Sequence, residues 1–205
     1  SFNSPVFQKP LELGMDLVAH SATKYLNGHS DVVAGALAGS HKHIRQVMEK
    51  EFMTLGACPS PHDAWLLMRG LRTLELRVHR SADNAERVAG FLDAHPKVTR
   101  THWPFLKSHP QHALARRQME RCGGLMSIEL DATDEAAVER FCDNLKCFLI
   151  AVSWGGYESL QWPICALKGP SGYYTDLPFN MVRLYIGLED PDLLIADLEQ
   201  ALDKI

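Results

Sequence analysis

A lysine-containing loop between two short apolar segments constrains the fold of this chain more than any other feature. Residues 16–20 predict a short buried strand, and residues 31–38, rich in Val and Ala, predict a second one. Lys24 lies in the loop between them, soon after the first strand. Because α/β sheets bind their ligands at the ends of strands, this position predicts a ligand site around Lys24.

The residue types around Lys24 favour a particular kind of ligand. A desolvated lysine gives up its proton more readily, and its amine can then form a Schiff base with a carbonyl group. The hydroxyl groups of Ser21 and Thr23 are close enough in sequence to hold a phosphate. Together these groups match what pyridoxal 5′-phosphate requires. The alternative is that Lys24 is a solvated loop residue and that both hydroxyls cap the turn.

A longer stretch around Lys24 and four further blocks resemble one enzyme family. Residues 21–35, SATKYLNGHSDVVAG, resemble the cofactor-lysine segment of the Cys/Met-metabolism family of pyridoxal-phosphate enzymes, which contains the cystathionine synthases and lyases. The other blocks, which follow in the family's order, are RGLRTL (69–74), GGLMS (123–127), SWGGYESL (153–160) and VRLYIGLED (182–190). The resemblance therefore covers the whole chain.

Strands and helices alternate along the chain, which predicts an α/β or α+β fold. The resemblance implies the C-terminal part of a fold-type I enzyme, the aspartate-aminotransferase-like class. Residues 1–70 are then expected to belong to the large pyridoxal-phosphate domain, and residues 71–205 to form a smaller α/β domain with a mainly antiparallel sheet. An N-terminal half that carries the groups clamping the cofactor ring is expected before Ser1.

Hydrophobic periodicity predicts the elements of both parts. A long helix is expected over residues 61–93, and Gly70 within it predicts a close packing contact. The apolar stripe of this helix is Leu67, Leu71, Leu74 and Val78, and the arginines off the stripe are Arg72, Arg77 and Arg80. Other predicted strands are 98–104, 126–130, 148–152 and 182–188, and other predicted helices are 44–52, 112–119, one capped by Thr133 and one after Pro191.

The resemblance implies roles for five residues of the site. Lys24 carries the cofactor and then removes the Cα proton of the substrate, while Ser21 and Thr23 bind the cofactor phosphate. Arg183 lies on the strand face opposite the core residues and, with Ser153, is expected to bind the substrate carboxylate. Without the resemblance, a surface salt bridge is the commoner fate of a strand arginine such as Arg183.

Two aromatic residues bear on the substrate. The block that contains Trp154 is most similar to bacterial cystathionine β-lyases, whereas many γ-acting members have leucine there. A tryptophan at this position is expected to narrow the pocket and favour β-elimination; the alternative is an aromatic residue packed in the core. The resemblance also implies that Trp154 and Phe52 lie in the substrate-binding site. Phe52 falls where these β-lyases carry a tyrosine, and phenylalanine lacks a hydroxyl able to contact substrate.

The resemblance implies a pyridoxal-phosphate-dependent carbon–sulfur lyase. The expected reaction is β-elimination on L-cystathionine, which yields homocysteine, pyruvate and ammonia in methionine biosynthesis. Alternatives within the family are cystathionine γ-lyase, cystathionine γ-synthase, methionine γ-lyase and homoserine sulfhydrylase. An alternative of another class is an inactive fragment with a structural role only. The family also implies a homotetramer, a dimer of dimers whose active sites are shared between chains.

Charge and composition argue against several other functions. The net charge of −4 predicts no binding to nucleic acid or to an anionic membrane, and no apolar run is long enough to span a bilayer. The five cysteines contain no C-x-x-C pair and predict free thiols in a reducing cytoplasm. The ten histidines lack the ordered spacing of zinc ligands, so no metal site is predicted.

Overall fold

The N-terminal part of the chain is built around a two-stranded antiparallel sheet that carries the lysine loop. The computed structural model describes residues 1–170 and 172–205. The first elements are helix α1 (Ser4–Phe7), a 3-10 turn (Pro10–Leu13), strands β1 (Leu17–Ser21) and β2 (Gly35–Gly39), helix α2 (His41–Val47), a π-helical turn (Met48–Phe52) and helix α3 (Met53–Leu55). Ser21 pairs with Gly35, so the segment with Lys24 connects the two strands.

The two strands form close to where the sequence predicts them, but they are not buried. Leu17 of β1 is 39% exposed and Leu37 of β2 is 42% exposed. The prediction of buried strands is therefore wrong for this part of the chain. The physical reason is that, over the described residues, the faces of this two-stranded sheet are largely uncovered, and strand side chains point to those faces.

Two helices replace the single helix predicted over residues 61–93. They are α4 (Pro61–Leu71) and α5 (Leu74–Ala94). At the break, the carbonyl oxygen of Gly70 accepts hydrogen bonds from the backbone N–H of Thr73 at 3.1 Å and from its hydroxyl at 3.2 Å. These bonds tighten the last turn of α4 and satisfy a carbonyl that the helix end leaves without a partner. Leu71, expected on the apolar stripe, is 44% exposed beside this break.

Arg77 is buried, which corrects the prediction that it lies off the apolar face. Its side chain crosses the break between the helices and donates to the carbonyl oxygens of Gly70 at 2.8 Å and Tyr25 at 3.0 Å. It also donates to the hydroxyl of Thr73 at 3.0 Å. A guanidinium that finds several hydrogen-bond acceptors can remain buried, and here the helix break and the lysine loop supply them.

Gly70 makes the close contact that the sequence predicts. A Cβ atom at this position would lie 2.9 Å from the carbonyl carbon of Asn27 and still nearer to its oxygen. Because backbone atoms cannot move aside as a flexible side chain can, the contact requires glycine. Gly70 therefore sets how closely α4 approaches the lysine loop.

We expect Gly70→Ala to lower the free energy of unfolding by about 1–3 kcal/mol, the usual penalty of overpacking. The matched control is Gly90→Ala in α5, where a Cβ meets nothing within 4 Å. That substitution is expected to raise the free energy of unfolding by about 0.5–1 kcal/mol because glycine is a poor helix former. Urea denaturation followed by circular dichroism measures both values. Equal effects of the two substitutions would contradict the packing role of Gly70.

The C-terminal part is an α/β unit with one five-stranded sheet. Its elements are β3 (Val98–His102), α6 (His112–Gln118), β4 (Leu125–Leu130), α7 (Glu135–Asn144), β5 (Leu149–Ile150), β6 (Leu160–Pro163), the short pair β7 (Lys168–Gly169) and β8 (Gly172–Tyr173), β9 (Met181–Tyr185) and α8 (Pro191–Leu202). The strand order is β3-β4-β9-β6-β5, and every pair is antiparallel except β5 with β6. The expected fold class, an α/β unit with a mainly antiparallel sheet, is confirmed.

The core of this unit lies between the sheet and the helices α5, α7 and α8. Ile128 of β4, Leu184 of β9 and Leu198 of α8 are fully buried, as the period-two and helical patterns predict. The division of the chain at residues 70 and 71 remains a prediction, since α5 contributes to this core and also contacts the lysine loop.

Two local predictions in this part are wrong. Asp134, not Thr133, caps α7, because its carboxylate accepts a hydrogen bond from the backbone N–H of Ala137 at 2.8 Å. The strand predicted over residues 148–152 is reduced to the two residues of β5 at the sheet edge. Ile150 is 58% exposed there, so its apolar side chain does not indicate a buried strand.

Three features of the structure concern membrane spans, metal sites and cysteine thiols. Among the described residues, no helix has both the length and the apolar character needed to cross a membrane. Over the same residues, no group of His, Cys, Asp and Glu side chains could hold a metal ion. Cys122 and Cys142 are free thiols in the core, where burial raises the pKa of each to about 12.

Candidate active site

The lysine loop docks on the outer face of β9 through Tyr25. This side chain is 1% exposed, and its ring meets that of Tyr185 edge-on with centroids 6.0 Å apart. Its hydroxyl accepts a hydrogen bond from the backbone N–H of Gly124 at 2.9 Å. Burial raises the pKa of Tyr25 to about 12. Sequence reasoning missed Tyr25, although an aromatic residue directly after the lysine was a usable signal.

The amine of Lys24 lies in a partly enclosed, polar and aromatic environment. Its Nζ donates a hydrogen bond to Oγ of Ser153 at 2.8 Å and lies 4.1 Å from the ring centroid of Trp154. Burial lowers the pKa of Lys24, and the positive charge of Arg183 lowers it further. A larger fraction of the amine is therefore neutral, and thus nucleophilic, near neutral pH than in an ordinary lysine.

A glycine turn holds Ser153 against the lysine. Gly155 has a φ of +83°, and a Cβ there would lie 2.6 Å from the backbone nitrogen of Tyr25 and 2.9 Å from the carbonyl carbon of Lys24. Both the backbone conformation and the close approach require glycine. The lysine loop therefore approaches the backbone of this turn at Gly155.

Arg183 lies beside the same turn. Its Nη2 donates to the carbonyl oxygens of Ala151 at 3.2 Å and Ser153 at 3.3 Å. Among the described residues it forms no salt bridge, so the surface ion pair weighed above is not formed there. Burial lowers the pKa of its guanidinium. A half-buried cation with only neutral partners is suited to an anionic ligand.

The two hydroxyls assigned to a phosphate differ in their surroundings. Thr23 closes the lysine loop, since its Oγ1 accepts from the backbone N–H of Ala34 at 3.0 Å and donates to the Ala34 carbonyl at 3.3 Å. A phosphate must compete with this second, longer bond. Ser21 ends β1 and is half-buried. The phosphate-binding roles of Ser21 and Thr23 remain predictions.

The position of Trp154 agrees in part with both alternatives given by the sequence, a residue that narrows the pocket and an aromatic residue packed in the core. It is half-buried beside the apolar cluster that contains Tyr25, while its ring faces the amine of Lys24. Its indole N–H is buried and has no hydrogen-bond partner among the described residues. The substrate-binding role of Trp154 stays a prediction.

Phe52 lies in a different place from Lys24, Ser153, Trp154 and Arg183. It ends the π-helical turn and lines an open cleft of about 680 Å³. Ser21 and Leu37 line the same cleft, so Phe52 faces the two-stranded sheet. Lys24, in contrast, meets Ser153 and Trp154. The structure thus brings together Lys24, Ser153, Trp154 and Arg183, and the substrate-binding role of Phe52 remains a prediction.

A second polar contact, which sequence reasoning missed, joins the lysine loop to the glycine turn. The hydroxyl of Ser30 donates to the carboxylate of Glu158 at 2.6 Å. Ser30 has a φ of +59°, which is uncommon for a residue other than glycine. The sequence did point to both residues, because Ser30 lies in the block around Lys24 and Glu158 lies in the block SWGGYESL.

On an α/β framework, this arrangement places a partly buried lysine amine beside a serine and a tryptophan, with an arginine close by. Over residues 1–203 the chain matches the family described as Cys/Met metabolism PLP-dependent enzyme, and it belongs to that family. The resemblance drawn from the five sequence blocks is therefore confirmed. The prediction of pyridoxal 5′-phosphate as the cofactor is also confirmed, because dependence on this cofactor defines the family.

Relatives of this chain carry different activities in their names. It is 45% identical to a cystathionine gamma-synthase of Mycobacterium leprae, which covers 99% of this chain and 53% of the relative. It is 40% identical to a cystathionine beta-lyase of Lactococcus lactis, covering 100% of this chain and 54% of the relative. The crystal structure of a Xanthomonas oryzae cystathionine gamma synthase in complex with cystathionine matches with a TM-score of 0.91, 41% identity, and coverage of 100% and 54%. The chain spans about half the length of these relatives.

Proposed function

We propose that this chain supplies the catalytic lysine and the carboxylate-binding arginine of a carbon–sulfur lyase that cleaves L-cystathionine by β-elimination. The products are homocysteine, pyruvate and ammonia. The observation that carries the proposal is the convergence of Lys24, Ser153 and Arg183 from distant parts of the chain. Ser153 contacts the amine through its hydroxyl at 2.8 Å and the guanidinium through its carbonyl at 3.3 Å.

The residues present fit pyridoxal 5′-phosphate. A partly desolvated amine with a lowered pKa is the nucleophile that a carbonyl cofactor requires. Lys24 is then the attachment residue, and Ser21 and Thr23, at the start of the same loop, are the phosphate ligands. When bound, the cofactor supplies an electron sink that stabilises negative charge at the substrate Cα.

Lys24 acts as the base in this proposal. To take the Cα proton at Nζ, the amine must be neutral, and its lowered pKa favours that form. Once protonated, the ammonium can donate to Oγ of Ser153 and interact with the face of Trp154. These two contacts hold the proton near the reacting carbon and keep the amine oriented for the next transfer.

Arg183 orients the substrate. Its hydrogen bonds over the described residues use Nη2, which leaves the N–H groups of Nη1 to donate to a carboxylate. Since Ser153 shares a turn with these contacts, the substrate carboxylate and the catalytic amine are held by one rigid segment. Such positioning makes proton transfer effectively intramolecular.

Trp154 supports β-elimination over γ-elimination. Chemistry at Cγ requires a base that serves Cβ as well as Cα, and therefore an amine that can swing between them. The indole ring 4.1 Å from Nζ and the bond to Ser153 restrict that movement. A cystathionine γ-synthase is the second candidate, because relatives with that name are 45% identical to this chain.

Product analysis with L-cystathionine tests the proposal. We expect the wild-type protein to form homocysteine and pyruvate, and Trp154→Leu to shift product formation towards cysteine and 2-oxobutyrate because the amine gains freedom. Chromatographic quantification of both thiols and both keto acids measures the ratio. Wild-type release of cysteine and 2-oxobutyrate, or formation of cystathionine from cysteine and an O-acylated homoserine, would reject the β-lyase assignment.

Assembly and location follow from the family resemblance and are likewise proposed. The chain is proposed to act within a homotetramer, a dimer of dimers that shares its active sites, in the cytoplasm. Analytical ultracentrifugation tests the assembly. The alternative of an inactive fragment with a structural role predicts a colourless protein after incubation with pyridoxal phosphate, whereas a lysine-bound cofactor absorbs visible light.

A further inference from the structure

The geometry points to Tyr185 as a positioning residue that holds the amine of Lys24 in place through the turn formed by residues 153–156. This inference rests on the proposed role of Lys24 as the reactive amine. Tyr185 does not contact that amine itself. It acts by fixing the backbone that carries Ser153, whose hydroxyl does contact the amine.

Strand β9 holds both ends of the turn. Tyr185 is 1% exposed, and its hydroxyl donates to the carbonyl oxygen of Gly156 at 2.9 Å. Arg183, two residues earlier and therefore on the same face of the strand, donates to the carbonyl oxygen of Ser153 at 3.3 Å. The four-residue turn is thus fixed at its first and last residues by alternate side chains of one strand.

The turn formed by residues 153–156 contacts the backbone of Lys24 directly. A Cβ on Gly155 would lie within 3.1 Å of the Cα of Lys24, so the two backbones are in direct contact. Ser153 then places its Oγ 2.8 Å from Nζ. Any outward movement of the turn lengthens that bond and admits water to the amine.

The two buried tyrosines fix different segments around Lys24. Tyr25 anchors the backbone of the lysine loop, because it follows Lys24 directly and its hydroxyl is bonded to the N–H of Gly124. Tyr185 packs edge-on against Tyr25 and reaches the opposite side of the amine through Gly156. Tyr25 therefore fixes the backbone of Lys24, and the turn that Tyr185 holds in place contacts the amine.

Tyr185→Phe tests the inference, because it removes the hydroxyl and keeps the ring. The amine is probed without cofactor, by competitive labelling with dinitrofluorobenzene across pH and quantification of the Lys24 peptide by mass spectrometry. We expect the pKa of Lys24 to rise towards that of an exposed lysine, since water reaches the amine. Hydrogen exchange of the amides of residues 154–157 is expected to accelerate about tenfold, the effect of losing one buried hydrogen bond.

Tyr173→Phe is the matched control. Tyr173 also uses its hydroxyl in a hydrogen bond, to Glu135 at 2.7 Å, but it lies on β8 outside the lysine site. We expect this variant to leave the labelling profile of Lys24 and the exchange of residues 154–157 unchanged. In the active protein, Tyr185→Phe should lower kcat about tenfold or more at nearly constant KM, because Arg183 remains in place.

An unchanged Lys24 profile in folded Tyr185→Phe would overturn the inference. If that variant does not fold, Gly155→Ala displaces the same turn without altering Tyr185 and should shift the pKa of Lys24 in the same direction; no shift there overturns the inference as well. The labelling requires neither cofactor nor activity. A shifted amine in a chain that binds no cofactor would therefore support the role of Tyr185 while rejecting the proposed function.

Discussion

Replacing Lys24 by alanine is expected to abolish covalent attachment of pyridoxal phosphate and to lower the lyase rate by about a thousandfold or more. The substitution removes the proposed nucleophile for the cofactor and the proposed base for the Cα proton, and general-base catalysis alone contributes about 10²–10⁴-fold. The amine is suited to both roles because burial and Arg183 lower its pKa.

The attachment is measured directly on the protein. Incubation with pyridoxal phosphate, reduction with borohydride and peptide mass spectrometry should locate the phosphopyridoxyl group on Lys24 of the wild type. Lys107→Ala, which removes an exposed lysine, is the control and should keep both the label and the rate. A label that persists on another lysine of Lys24→Ala, together with retained activity, would reject Lys24 as the catalytic residue.

Arg183→Ala is expected to raise KM for the amino-acid substrate by about a hundredfold, because truncating one member of a desolvated charge pair costs about 2–5 kcal/mol. The guanidinium is half-buried and has neutral partners over the described residues, so a bound carboxylate would be its charged partner. The effect should appear mainly in KM, since the carboxylate is bound in the ground state and the transition state alike.

Two comparisons isolate this role of Arg183. Arg183→Lys keeps the charge but not the planar fork, so it should recover only part of the lost affinity. A substrate analogue with a carboxamide in place of the carboxylate should bind the wild type and Arg183→Ala equally. Circular dichroism controls for the two backbone contacts that the variant loses. An unchanged KM in a folded Arg183→Ala protein would show that the carboxylate binds elsewhere.

Much of the C-terminal unit could be predicted from local pattern. Met126, Ile128 and Leu130 recur at period two and are buried on one face of β4, because a half-buried strand imposes that alternation on its own sequence. The same logic failed for the helices around Gly70. Leu71 continues the helical period but is exposed, and the break after it depends on hydrogen bonds at Thr73 that hydrophobic periodicity does not register.

The burial of Arg77 was not predictable for a related reason. An arginine off the apolar stripe of a helix is normally solvated, and the pattern of α5 alone gives no cause to expect otherwise. Its acceptors are the carbonyl oxygens of Tyr25 and Gly70, which come from two other segments. Only the packing of α4 and α5 against the lysine loop brings those oxygens to one guanidinium.

The sequence by itself determined the family, the cofactor and the candidate residues Lys24, Ser153 and Arg183, because each lies in a contiguous block whose residue types suit its chemistry. Only the tertiary structure decided that these residues lie together. The bond between Lys24 and Ser153 joins residues 129 positions apart, and no local period encodes such a contact. This bond depends on the close approach of the Lys24 backbone to Gly155. It also depends on Tyr25 and Tyr185, whose buried hydroxyls fix the lysine loop and the turn of residues 153–156. Both are properties of tertiary packing, which a local sequence pattern does not encode.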